Sequence, residues 1–181
     1  MPVESKYARI EWERRFLLDH FPCEAEVTRI RCISDRYIEG TNLRLRQQSD
    51  GEGDITFKLT QKLRGGTARG EQGQITTMYL TADEFNVLAR LPAKVLRKTR
   101  HSVPPFGIDV FEGVLSGLVL AEAEFNSAAE AAALDLPYFI VSEVSDDKRF
   151  TGGNLVTVSR PELENWLAAH GVRLSGGVGA E

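Results

Sequence analysis

In the stretch ARIEWERRFLL, Glu11, Glu13 and Arg15 occupy alternate positions among apolar residues. Residues two apart in an extended strand share one face at a spacing of about 7 Å, so two carboxylates and a guanidinium aim one way. Ile10, Trp12 and Phe16 aim the other. The arrangement recurs. LRLR aligns Arg44 with Arg46, TFKLT aligns Thr56, Lys58 and Thr60, and LRKTRH aligns Lys98 with Arg100. AEAEF aligns Glu122 with Glu124, and Asp109 stands between Ile108 and Val110. Clustered carboxylates suit hard, oxygen-seeking cations such as Mg²⁺ or Mn²⁺, and clustered arginines and lysines grip phosphate oxygens. Side by side, the two sets predict a site for a metal-bound polyphosphate.

A single alternating strand is ordinarily a strand with one solvated face. Here six strands carry ionic residues, cations and carboxylates are largely sorted into different strands, and the opposite faces are apolar enough to pack under helices. If the sheet closes with its apolar side outward, the charges line a lumen. So dense an interior charge cannot be neutralised by direct pairing alone, and it calls for ligands.

The elements that hold these residues read mostly as strands of period two, at 8–18, 26–34, 36–39, 41–48, 54–61, 73–80, 94–102, 106–112 and 117–125. SDGEGD at 49–54 reads as a hairpin loop, RGGTARGEQG at 64–73 as a mobile glycine-rich loop, and Pro104-Pro105 separates the next pair. Thr81 with Glu84, and Ser127 with Glu130, form capping boxes that open helices. A third helix over 160–170 is capped by Ser159 and stopped at Gly171. So many strands in one sheet leave exposed edges unless the sheet closes. The expected fold is mainly β (α+β), an antiparallel barrel with helices packed outside it or capping an end.

The chain has 181 residues, 42% of them hydrophobic, enough for one domain over 1–172 with a flexible tail at 173–181. The net charge of −4 argues against general nucleic-acid binding. It conceals an excess of six positive charges within 29–100 and of ten negative ones elsewhere. Cys23 and Cys32 have neither metal-site spacing nor disulfide density, and no run suits a membrane span or a signal peptide. A cytoplasmic protein is expected, without membrane contact.

The residues already named resemble the CYTH domains, or triphosphate tunnel metalloenzymes, whose N-terminal signature E-x-E-x-K here reads Glu11-Trp12-Glu13-Arg14-Arg15. TNLRLR, TFKLTQ, LRKTRH, IDVFEG, GLVLAEAEF and EVSDDKRFTGG follow as successive blocks in family order. The resemblance implies a closed tunnel of eight antiparallel strands. It also implies metal-dependent hydrolysis of inorganic triphosphate or a small organic triphosphate, with two divalent ions. Carried over by position, Glu11, Glu13, Glu122 and Glu124 hold the ions, with Asp109 contributing directly or through water. Arg15, Arg44, Arg46, Lys58, Lys98 and Arg100 hold the substrate, and Lys148 or Arg149 reaches the tunnel mouth. Glu11, Glu13, Arg15, Lys98, Glu122 and Glu124 form the implied catalytic set. Arg15 replaces the family lysine. With a pKa above about 12 it binds phosphate but cannot act as a base, which leaves water activation to a metal ion.

Two rival functions remain open at this point: an adenylate cyclase making cyclic AMP and pyrophosphate, and a module that binds polyphosphate or nucleotides without turnover. A homodimer is also left open. An apolar-ligand barrel conflicts with the charged alternation. His101 faces away from Arg100 and reads as packing or surface, GGTARG lacks a phosphate-loop context, and Trp12, Trp166, Phe85, Leu88 and Leu91 read as outer packing.

Overall fold

The computed structural model describes residues 7–63 and 71–174. The heart of the expected mobile loop, 64–70, and the expected flexible tail from 175 lie outside the described residues. The chain order begins with five strands: β1 (Arg9–Leu18), β2 (Arg29–Ile38), β3 (Leu43–Asp50), β4 (Ile55–Leu63) and β5 (Glu71–Leu80). Helix α1 (Ala82–Leu88), β6 (Ala93–Val103), β7 (Phe106–Phe111), β8 (Val119–Phe125) and α2 (Ala128–Ala132) follow. A two-residue strand β9 (Ser142–Glu143) precedes α3 (Gly152–Leu155) and α4 (Arg160–Ala168).

Every pairing named for these strands is antiparallel, in the order β5-β4-β3-β2-β6-β7-β8-β1-β9. A further pairing of β5 with β1 closes eight of them into a barrel. β5 accompanies β1 only as far as Trp12, and β9 takes over the same edge at Phe16 and Leu17. The segments 26–34 and 36–39 are one strand, because Ser34 and Asp35 pair within the ladder to both neighbours instead of forming a turn.

Local chemistry fixes the connections. The Asp50 carboxylate accepts from the backbone N–H groups of Glu52 and Asp54 at 3.2 and 3.1 Å, and Gly53 turns the hairpin with φ of 91°. Thr81 and Glu84 form the reciprocal cap of α1. At α2, Ser127 accepts from the Glu130 N–H, while the Glu130 carboxylate reaches one residue further back, to Asn126. α4 begins where the Ser159 N–H and hydroxyl both donate to Glu162, and Gly171 follows it with φ of 75°.

Alternation sends two apolar sets in opposite directions. Outward, Phe85 of α1 packs with Ile38, Leu45, Phe57 and Leu59, and Phe16, Leu18, Ile108, Ala121 and Ala123 pack with Phe139 and Ile140. Inward, Leu17, Leu96, Phe111 and Leu120 lie two residues from Arg15, Lys98, Asp109 and Glu122 on their strands. These four join Phe150, Leu155, Leu163 and Leu167 in one buried cluster. The C-terminal segment thereby gives one end of the barrel an apolar floor below the charged level. Among the described residues, no helix is long and apolar enough to cross a membrane.

Candidate functional site

The lumen is a cavity of about 830 Å³. Among the described residues, ten lysines and arginines and five glutamates line it. Strand register sets their neighbours: Glu13 lies opposite Glu124 and Arg15 opposite Glu122, while Asp35, Arg46 and Lys58 follow one another across β2, β3 and β4.

Arg15, 5% exposed, donates to Glu13 and, through Nε at 3.2 Å, to Glu122. Arg100 donates through Nε and Nη2 to Asp109, both at 2.6 Å, and also to Glu122, while Lys98 donates to Asp109. Arg46 forms a two-pronged bond with Asp35 at 2.7 Å on each arm, with the Arg44 Nε 3.8 Å away. Lys62 bridges both oxygens of Glu11 at 2.9 and 3.0 Å. Gly107 makes room for one of these bonds. A β-carbon there would come within 3.2 Å of the Arg100 Cδ, so the missing side chain lets that guanidinium lie between its two carboxylates.

Burial and neighbours move the protonation equilibria in opposite directions. Burial, with the negative charges of Glu122 and Glu11, raises the Glu13 pKa over the opposing pull of Arg15 and Lys62. Burial would also raise Glu122, but Lys98, Arg100 and Arg15 hold it well below the usual range. Asp35 is brought down to about 2, because Arg46 and Arg44 outweigh its desolvation. Burial lowers Lys98, partly offset by Asp109. Burial followed by the Asp35 charge pushes the Tyr37 hydroxyl up to about 12. Arg31 lines the cavity as well, and burial together with Arg29, Arg100 and Arg46 lowers its pKa.

An inorganic triphosphatase from Nitrosomonas europaea is 33% identical over 150 residues, a span of 77% of this chain and 92% of that protein. The chain belongs to this triphosphatase family. The crystal structure of the inorganic triphosphatase NE1496 matches with a TM-score of 0.52 at 27% identity, covering 81% of this chain and 97% of that one. A structure of the hypothetical protein NE1496 matches with 0.53 at 28% identity, covering 82% and 99%. No family model matches the chain.

Within this family's barrel, Glu11, Glu13, Arg15, Arg44, Arg46, Lys58, Lys98, Arg100, Glu122 and Glu124 all line the one cavity. Three expected residues do not. Asp109 points inward but is fully buried beneath Lys98 and Arg100, so it orients these cations and is not part of the cavity surface. Arg149 is held outside by Asp147 at 2.6 Å and lies over the Phe150 and Trp166 rings, because its turn sends Phe150 into the floor. Lys148 does not line the cavity either. His101 packs against Phe21 in a tilted contact, with ring centroids 4.6 Å apart, in keeping with its outward reading.

Sequence reasoning missed Asp35, Lys62, Arg31, Tyr37 and Gly107. Arg31, Asp35 and Tyr37 share one period-two face, a signal obscured when Asp35 is read as a break between two strands. Lys62 continues the Lys58, Thr60 series one step beyond the expected strand end.

Proposed function

We propose that this chain hydrolyses a triphosphate inside the charged lumen, with Mg²⁺ or Mn²⁺ as cofactor, in line with its similarity to a protein named an inorganic triphosphatase. The observation that carries the reading is a surplus of positive charge in one cavity: among the described residues, ten lysines and arginines line it against five glutamates. A polyanion supplies acceptors in number.

The metal question turns on the glutamates. Among the described residues no group of three or more His, Cys, Asp or Glu side chains is gathered as a ligand set. Glu11, Glu13 and Glu122 are turned onto Lys62, Arg15 and Arg100. Their chemistry still fits a hard cation. Glu13 is buried among negative neighbours that raise its pKa, a field that added positive charge relieves. Glu11, Glu13, Glu122 and Glu124 would hold such ions, which, when bound, neutralise phosphate charge and lower the pKa of a coordinated water.

The remaining work belongs to the chain. Arg15, Arg44, Arg46, Lys58, Lys98 and Arg100 bind and orient the phosphates. Phosphoryl transfer is chiefly positioning and charge stabilisation, which fixed cations supply without reorganising. Asp35 and Asp109 hold Arg46, Lys98 and Arg100 in place from behind. The floor of Leu96, Phe111 and Leu120 keeps water from one end, which strengthens each charge interaction above it. The free thiols Cys23 and Cys32 accord with a cytoplasmic setting.

The test is phosphate release from tripolyphosphate, ATP and thiamine triphosphate with Mg²⁺ or Mn²⁺, beside the same assay on Glu13→Gln and a cyclic AMP measurement. Metal-dependent orthophosphate that disappears in the variant is the expected result. Cyclic AMP with pyrophosphate would assign a cyclase instead, and binding without product would assign a binding module.

A further inference from the structure

Every second residue of β1 from Ile10 to Leu18 faces outward, and Arg14 is the one charged member of that row. Its side chain is largely buried and is held at three nitrogens. Nε and Nη2 donate to the two oxygens of Glu143 at 2.9 and 2.8 Å, and Nη1 donates to the Ala131 carbonyl of α2 at 2.9 Å. The guanidinium also lies 5.1 Å from the centre of the Phe16 ring. A two-pronged bond of this kind fixes direction as well as distance. Glu143 in turn accepts from the Ser145 hydroxyl at 2.7 Å, and Ser145 is buried.

What this outer network grips is the backbone of Arg15. The Arg15 N–H donates to Ser145 Oγ at 3.0 Å, and the Arg15 carbonyl accepts from the Val144 N–H at 2.8 Å. Both bonds fall where β1 changes partners. β5 pairs with it as far as Trp12 and β9 begins at Phe16, so among the described residues no ladder covers that edge at residues 13–15. A hydroxyl stands in for the missing ladder acceptor, and the Glu143 carboxylate behind it makes that oxygen a stronger acceptor. The segment carrying Ser145 is anchored on either side by Val144 and Phe150, which both lie in the apolar floor. The residue so gripped is the one whose guanidinium has to reach Glu13 on its own strand and Glu122 on β8.

We propose that Ser145, oriented by Glu143 and Arg14, is a positioning residue for Arg15: a clamp on the outside of the barrel that fixes a phosphate-binding guanidinium on the inside. None of the three clamp residues lines the lumen, so the clamp acts through the Arg15 backbone alone. The role of Arg15 toward phosphate rests on the triphosphate reading above. The placement of its guanidinium is a property of the chain and is measurable without substrate.

The experiment compares the full chain with Ser145→Ala, Ser145→Thr, Arg15→Ala and the Ser145→Ala, Arg15→Ala pair. The first readout is hydrogen exchange at the Arg15 Nε–H by ¹⁵N NMR without substrate, with the Arg100 Nε–H as control. The two signals are identified by their loss in Arg15→Ala and Arg100→Lys. Ser145→Ala is expected to speed exchange at Arg15 by about tenfold, the effect of losing one buried hydrogen bond. Arg100 should stay within about twofold, and Ser145→Thr, which keeps the hydroxyl, should restore Arg15. The second readout is kcat/KM for tripolyphosphate with Mg²⁺. Ser145→Ala should lower it by about tenfold when Arg15 is present and by less than about twofold when Arg15 is already alanine. If Ser145→Ala does not fold, Glu143→Gln carries the same readouts, with an expected change of about threefold in the same direction. Unchanged exchange at Arg15, equal acceleration at Arg100, or equal kinetic losses in both backgrounds overturns the clamp while sparing the triphosphate reading. An unaltered chain that leaves tripolyphosphate, ATP and thiamine triphosphate intact overturns that reading and the role it gives Arg15, and the exchange rates then decide the clamp alone.

Discussion

Replacing Asp35 by asparagine keeps the shape of the side chain and removes its charge, at a position only 1% exposed. In the native barrel this carboxylate accepts two bonds from Arg46 at 2.7 Å and lies 3.8 Å from Arg44. These partners bring its pKa from the ordinary 3.8 to about 2. The drop corresponds to about 2 kcal/mol of folding stability at pH 7. Because folding lowers the pKa, that stability is complete above the unfolded value near 4 and is lost as pH falls through the folded value. About half of it remains at pH 3. The variant also leaves Arg46 buried without its counter-charge, so a total loss of about 3 to 5 kcal/mol at pH 7 is expected. Urea unfolding of both proteins at pH 7 and pH 3 measures the difference. A loss at pH 7 below about 0.5 kcal/mol, the level of an ordinary surface change, would refute the reasoning, as would a difference that does not shrink at pH 3.

Three further outcomes are expected. Gly107→Ala should push the Arg100 side chain off Asp109 and Glu122, cutting kcat/KM for tripolyphosphate by about ten- to a hundredfold; an unchanged rate in a folded variant would mean that the Arg100 position is not critical. Glu122→Gln should lower turnover by about a hundredfold or more and abolish any rise in Tm on adding Mn²⁺, and full activity or an intact Tm rise would remove Glu122 from the proposed ligands. Phe150→Ala should open a hole in the apolar floor and cost about 3 to 5 kcal/mol by urea unfolding, whereas a loss under about 1 kcal/mol would show that the C-terminal segment does not seal the barrel.

Much of the site was legible because a strand repeats every two residues. Glu11, Glu13 and Arg15 had to share a face, as did Arg44 with Arg46 and Glu122 with Glu124, whatever the strands packed against. Once those faces were recognised as too ionic for an ordinary surface, a closed barrel with an inward charged wall followed, and with it ten of the residues that line the cavity. The capping residues of α1 and α4 were equally readable, since their bonds join residues three apart.

Periodicity carries no information about which strand lies beside which, or at what offset. The pairing of Arg15 with Glu122, of Arg46 with Asp35, and of Lys62 with Glu11 depends on register between segments as far as 107 residues apart. The same register buries Asp109 beneath two cations and takes it off the cavity surface. It also lets Gly107 clear the path of Arg100. Where the inward face changes from charged to apolar was likewise decided by packing: Leu17, Leu96, Phe111 and Leu120 become a floor only because the C-terminal helices bring Phe150 and Leu155 against them. Side-chain types and spacing set the chemistry available to this chain, and long-range strand register and helix docking determine which charges neutralise one another and which remain for a ligand.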